Sequence, residues 1–322
     1  DKGKPFLTFY LHKAPHRAWW PSPEKFAEFY NKEFPEPDNL YDDYSGRGTA
    51  AKTAEMNLLT HMQYMQDSKV RPSVFENMEN VEPKIVYARG DGTFFEPSSN
   101  SFNNRYGRAN EEQKKKYDIT LDKISKDFEA NWPNMNDKEK MQWKFQRYMQ
   151  DYLATISSVD DNVGRVLNYL EESGLDENTI VIYTSDHGDA LGMRGMWGKS
   201  TMFEESAGVP MIMKGPNVPK SKRIKTPVSL VDIFPTVVDS LNLNKNPKDN
   251  DLPGKSLLEI AIGKDNYDRV VLSEYHAAAS PVGAFMLRKG KYKYVYFAEG
   301  YDPQLFDLEI DPYEENDLLV ND

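Results

Sequence analysis

Asp186 and His187 lie within Thr184-Ser185-Asp186-His187-Gly188-Asp189, which closes an apolar run, Thr179-Ile180-Val181-Ile182-Tyr183. A carboxylate and an imidazole side by side on a strand-end loop can both reach one divalent cation if the backbone bends between them. The plainer reading is a surface turn, with Asp186 capping the loop and Gly188 supplying a positive φ angle. Lys199 comes one short loop later, within Trp197-Gly198-Lys199-Ser200. That loop can fold back over a metal-bound anion, and an ammonium fixed against developing negative charge lowers a barrier. Asp189 could orient a ligand from behind or simply remain solvated. Near the other end of the chain, His12 and His16 bracket Lys13-Ala14-Pro15, and Trp19 and Trp20 follow. The indoles offer faces that suit a sugar ring, although core or rim packing explains them equally well.

Bringing these residues together requires strands that end at one edge, where open α/β sheets bind their ligands. Residues 6–11 (Phe-Leu-Thr-Phe-Tyr-Leu) read as a mostly buried strand, and 179–183 as a second. If the two are parallel neighbours, His16 and His187 emerge on the same side. Residues 138–172 carry the strongest helical signal, with Met141, Phe145, Tyr148, Tyr152, Ile156, Val159, Val163, Val166 and Leu170 at three- and four-residue steps. The pair Asp160-Asp161 inside it reads as helix surface, since neighbouring side chains diverge by about 100°. Residues 51–65 show a weaker helical spacing, 209–213 another core strand, and 231–241 a short helix with Pro235 in its first turn. Residues 21–50 read as Pro- and Asp-rich connection, and 67–110 as a long polar loop. Helix and strand alternating in this way imply an α/β layer structure. From about residue 265 the pattern changes to short strands at 270–274, 284–288 and 292–297, the last two joined through Gly290. The expected division is a main domain over 1–262 and a smaller antiparallel-sheet subdomain over 263–322.

Composition narrows the partners. The formal net charge is −11, which disfavours a phosphate-backbone partner, and the basic runs at 114–116 and 220–225 are too short to change that. No apolar stretch approaches the roughly 18 residues of a membrane span, so neither a span nor a signal peptide is expected. Cysteine is absent, which excludes disulfides, thiolate metal sites and a cysteine nucleophile within these residues. The chain opens Asp1-Lys2-Gly3-Lys4-Pro5 without methionine, as a chain cut inside a fold would.

Several motifs, taken in order, resemble the sulfatase family of the alkaline-phosphatase superfamily. They are Ala14-Pro15-His16, Ser158-Val159-Asp160-Asp161-Asn162-Val163-Gly164, Thr184-Ser185-Asp186-His187-Gly188 and Trp197-Gly198-Lys199 with Glu204-Glu205-Ser206 and Val209-Pro210. Val228-Ser229-Leu230-Val231-Asp232-Ile233-Phe234-Pro235-Thr236 and Leu305-Phe306-Asp307-Leu308 with Asp311-Pro312 complete the set. The resemblance implies an alkaline-phosphatase-like α/β fold, a central mixed sheet flanked by helices, and hydrolysis of sulfate esters. It also implies a formylglycine nucleophile and one divalent cation, usually Ca2+. By position, Asp186 and His187 resemble two of the four metal ligands, and His16 and Lys199 resemble the side chains that contact sulfate. Trp19, Trp20, Arg194 and His276 are the candidates for substrate binding. Residues 1–172 look most like mucin-desulfating and N-acetylglucosamine-6-sulfatase-like members, and 185–320 like choline-sulfatase-like members. A sulfated glycan is the expected partner, and periplasmic or secreted residence the expected location.

The family's Cys- or Ser-x-Pro/Ala-x-Arg nucleophile motif and its amino-terminal Asp-Asp metal pair are both missing. In the family both precede the segment that begins here at Phe6. The chain is therefore expected to be the carboxyl-terminal portion of a sulfatase, inactive alone. Gly208 stands where relatives often carry arginine. His187 stands where they often carry Asn or Gln, and an imidazole suits a transition metal better than calcium. Two alternatives remain open: a phosphate or phosphonate ester hydrolase of the same superfamily, and a non-catalytic glycan-binding fragment.

Overall fold

The computed structural model describes residues 4–77, 87–88, 94–95, 98–244, 246–276 and 280–320. The long helix forms as its periodicity requires, over Asp137–Glu172. Its start is set locally: the Asn136 side chain accepts from the Glu139 N–H at 3.0 Å, and Glu139 Oε2 accepts from the Asn136 N–H at 2.8 Å. The amino-terminal half buries Met141, Phe145, Tyr148 and Ala154. Asp161, on its outer face, pairs with Lys25 at 3.5 Å.

Helices also lie where none was expected. Residues 21–50 are not all connection, because Ser22 caps and Pro23 starts a helix over Pro23–Tyr30. Another runs over Glu111–Asn131 behind an Asn110–Gln113 capping box. It buries Tyr117, Leu121, Ile124 and Phe128 in an aromatic core with Phe26, Tyr64, Phe102 and Trp132. Its apolar stripe is hidden in the sequence by Lys114-Lys115-Lys116, whose Lys114 and Lys116 pair with Glu111, Glu24 and Glu112. The single helix expected over 51–65 is instead two turns, Thr49–Lys52 and Leu58–His61. Asn57 causes the break. Its backbone is extended, and its carboxamide oxygen accepts from the Leu59 and Thr60 N–H groups to start a new helix. The 67–110 loop reading falls partly outside the described residues, and part of it is helix, Ser98–Tyr106.

Val181–Thr184 is a strand, but its partner is Met211–Lys214, antiparallel, with Ile182 opposite Met213. The expected parallel neighbour at 6–11 does not form. That segment has no strand assignment, and Phe6, Leu7, Phe9, Tyr10 and Leu11 are all exposed. An extended segment becomes a strand only when an edge offers it a ladder of donors and acceptors, and among the described residues none does. The carboxyl-terminal sheet is antiparallel as expected, in the order Val271–Tyr275, Ala284–Lys289, Tyr292–Phe297, Gln304–Asp307. Gly290, at φ 55°, makes the tight turn between its middle strands. The fourth strand was read only as a motif. The sheet packs Ala284, Met286 and Val295 on Met202, and Phe306 on Phe203. The sheet therefore leans on the loop that carries Lys199.

Candidate active site

One open trough of about 3270 Å³ runs between the 6–17 segment, the exposed half of the long helix, the Val181–Thr184 strand end and the lysine loop. His16, Asp186, His187 and Lys199 all line it. The trough is several times larger than the roughly 300–1,000 Å³ of a small-molecule pocket, so these walls form one side of a site and do not enclose it.

The Asp186-His187 turn is held by tight backbone packing. The Gly188 N–H donates to the Ser206 carbonyl at 2.8 Å, and a Cβ on Gly188 would lie 2.0 Å from the Glu205 carbonyl oxygen. Gly188 is thus required for close approach to the Glu204–Ala207 turn, and it does not supply the positive φ of the plain-turn reading. Asp186 points outward, its side chain 85 % exposed, with Oδ2 3.7 Å from His187 Nε2. His187 Nδ1 lies 2.8 Å from the Gly188 carbonyl. A carbonyl only accepts, so Nδ1 carries a proton and Nε2 is the nitrogen beside the carboxylate. A backbone carbonyl on Nδ1 with Nε2 turned outward is the arrangement of a ligating histidine. His16 is built alike, with Nδ1 2.7 Å from the Arg17 carbonyl and Nε2 left for the trough.

Asp186 and His187 fit two positions in the shell of one divalent cation. Among the described residues no third His, Cys, Asp or Glu joins them. Lys199 is half-buried in the trough wall, and no described residue pairs with its ammonium. Asp189 faces inward. It accepts from the Tyr148 hydroxyl and from the Gly198 N–H at 3.1 Å, tying the long helix to the lysine loop. Burial raises its carboxyl above the usual range, against the Tyr148, Leu191 and Gly198 hydrogen bonds that pull it down.

The substrate-binding candidates are placed differently. Trp19 borders the trough but is only 1 % exposed, its indole packed on Tyr148 at 4.7 Å and Trp197 at 6.4 Å. It has no free face for a sugar ring. Trp20 packs edge-on to Phe102 and Tyr117, both at 5.5 Å, away from the trough. Arg194 is buried, ion-paired to Glu205, donating to the Tyr313 carbonyl at 2.6 Å and stacked over Phe203. Its role here is to brace the loop that precedes Lys199. His276 is exposed at the rim of the carboxyl-terminal sheet, 3.4 Å from Glu274, and does not line the trough.

Arg17, not singled out from the sequence, joins the two halves of the site. It forms a bidentate pair with buried Asp67 at 2.7 and 2.6 Å while its guanidinium lies 4.3 Å from the Trp197 ring centroid. Only its adjacency to His16 could have drawn attention to it.

Comparison with known proteins shows the family. The sulfatase family model matches residues 1–243, and the model described as N-sulphoglucosamine sulphohydrolase, C-terminal, matches 192–322. An N-acetylglucosamine-6-O-sulfatase of Bacteroides thetaiotaomicron is 33 % identical over 328 residues, covering 99 % of this chain and 55 % of the relative. A choline-sulfatase of Rhizobium meliloti is 38 % identical over 176 residues, covering 54 % of this chain and 34 % of the relative. The chain thus spans about half the length, or less, of these curated relatives. A solved structure of a protein in complex with its substrate D-glucosamine-2-N,6-O-disulfate superposes with a TM-score of 0.82 at 31 % identity, covering 99 % of this chain and 62 % of that one. The expected fold class is therefore the observed one, and the chain belongs to the sulfatase family.

Proposed function

We propose that the protein is a sulfuric ester hydrolase that releases sulfate from a sulfated amino sugar or a glycan bearing one. The observation that carries this reading is that His16, Asp186, His187 and Lys199 all line one trough. Its sugar preference is supported by relatives whose names and ligands are glucosamine sulfates.

The roles follow from the chemistry of each side chain. The Lys199 ammonium, half-buried and without a carboxylate partner among the described residues, holds a sulfate oxygen and opposes the charge that grows during S–O cleavage. His16 presents Nε2 from a ring whose other nitrogen is already committed. It can hydrogen-bond the sulfate or the bridging oxygen and, when protonated, donate a proton to the leaving alcohol. Asp186 and His187 would hold a divalent cation, which supplies Lewis acidity at the sulfate. Ca2+ is the family expectation, while the imidazole ligand favours a transition metal. The nucleophile expected by resemblance is a formylglycine carried upstream of Phe6. Periplasmic or secreted residence goes with this reading, and no described helix is long and apolar enough to cross a membrane.

The test is turnover of N-acetylglucosamine 6-sulfate by the full-length protein, beside the 6-phosphate of the same sugar. Sulfate release that falls by roughly 10²-fold or more in both Lys199→Ala and His16→Ala is the expected result. Preferred hydrolysis of the phosphate would assign the site to phosphate esters instead. Binding without turnover of either ester would leave a glycan-binding module.

A further inference from the structure

We propose that Ser200 and Tyr275 are positioning residues that hold Lys199 against its anion, an inference that rests on the role given to Lys199 above. Lys199 lies between two residues in left-handed backbone conformation, Gly198 at φ 79° and Ser200 at φ 87°. Glycine takes that conformation freely, whereas a serine with a Cβ does not. Strained backbone of this kind persists only where the surroundings over-determine it, and it concentrates at sites that grip a ligand. The surroundings of Ser200 supply the constraint. The Tyr275 hydroxyl donates to Ser200 Oγ at 2.9 Å, from a strand 75 residues further along the chain.

On the other side of the lysine, the Gly198 N–H donates to Asp189 at 3.1 Å, and the Gly198 carbonyl accepts from the Ala190 N–H at 2.6 Å. Trp197 is held by its own N–H, which donates to the Met56 carbonyl at 2.9 Å. The backbone before Lys199 is therefore clamped by the loop that carries Asp186 and His187. The backbone after it is clamped by the end of the Val271–Tyr275 strand. Two residues on, Met202 packs in the cluster of Ala284, Met286 and Val295, with Tyr275 against it. The carboxyl-terminal sheet thus reaches the residue next to the lysine through the Tyr275–Ser200 hydroxyl pair and sets the direction from which the ammonium meets the trough.

The experiment is a double-mutant cycle in the full-length protein with N-acetylglucosamine 6-sulfate as the probe. Tyr275→Phe removes only the hydroxyl. It is expected to lower kcat about ten-fold, since small displacements of a catalytic group cost up to about a hundred-fold, with KM and Tm nearly unchanged. Ser200→Gly keeps the left-handed backbone without the hydroxyl, is expected to show the same partial loss, and stands in should Tyr275→Phe fold poorly. On a Lys199→Ala background, Tyr275→Phe is expected to cause no further loss, because its effect passes through the lysine. A wild-type kcat in Tyr275→Phe, or the same fold loss with and without Lys199, would overturn the inference. Full activity in Lys199→Ala alone would overturn the reading of the lysine instead, so the two failures are told apart.

Discussion

His187 and Asp189 sit two positions apart yet hold different partners, and their substitutions should fail differently. His187 has its Nδ1 committed to the Gly188 carbonyl and its Nε2 next to an exposed carboxylate. His187→Ala is expected to weaken divalent-cation affinity by roughly 10–100-fold while leaving thermal stability within about 0.5 kcal/mol. Isothermal titration with Ca2+ and with Zn2+, alongside a melting curve, separates those effects. Asp189 has its carboxylate between the Tyr148 hydroxyl and the Gly198 N–H. Asp189→Ala strands both donors in a largely dry environment, so a loss of about 1–3 kcal/mol is expected in denaturant unfolding. An undiminished midpoint would mean that water replaces the carboxylate.

The candidate residues were readable where the determinants are local. Asp186, His187 and Lys199 could be picked out because a strand run and a short loop fix their neighbourhood. The long helix was readable because Asn136, Glu139 and a repeating apolar face are all close in sequence. What escaped depends on distant partners. Tyr148 read as one more apolar helix position, yet its hydroxyl meets a carboxylate 41 residues away. Trp19 read equally as a sugar platform or as packing, because the contacts of Tyr148 and Trp197 that decide between them are set by the fold. Residues 6–11 have strand composition, but whether an edge lies alongside them is not a local property. Among the carboxyl-terminal strands, Lys293 shows how such remote constraints act. Fully buried, it pairs with Glu314 at 2.7 Å and Glu204 at 3.0 Å, joining the sheet to the turn after the lysine loop. Burial raises the Glu314 carboxyl against the pull of Lys293. Lys293→Ala should therefore cost about 3–5 kcal/mol by leaving the Glu314 charge unpaired. Adding Glu314→Gln should recover part of that loss, as chemical denaturation of both variants would show.

At the scale of the whole molecule, the pH response of stability should report the aromatic core of Phe26, Tyr64, Phe102 and Trp132. Lys144 reaches into it, donating to the Leu59 and Met62 carbonyls, both at 2.7 Å. Burial pulls its ammonium down from 10.5 to about 7. The unfolded chain then binds more protons between those two values, so this lysine makes stability rise with pH across that window. The contribution is complete above the unfolded value and is lost as pH falls toward about 7, below which it no longer changes. Melting temperatures from pH 7 to 10 should climb more steeply in the wild type than in Lys144→Met, and equal slopes would show that the lysine stays charged throughout. The account of the trough itself is tested most directly by a crystal of the full-length protein grown with selenate and a divalent cation. The expected result is one selenium anomalous peak within reach of both Lys199 Nζ and His16 Nε2, beside a cation on Asp186 and His187. Selenate bound elsewhere, with those four side chains untouched, would contradict it.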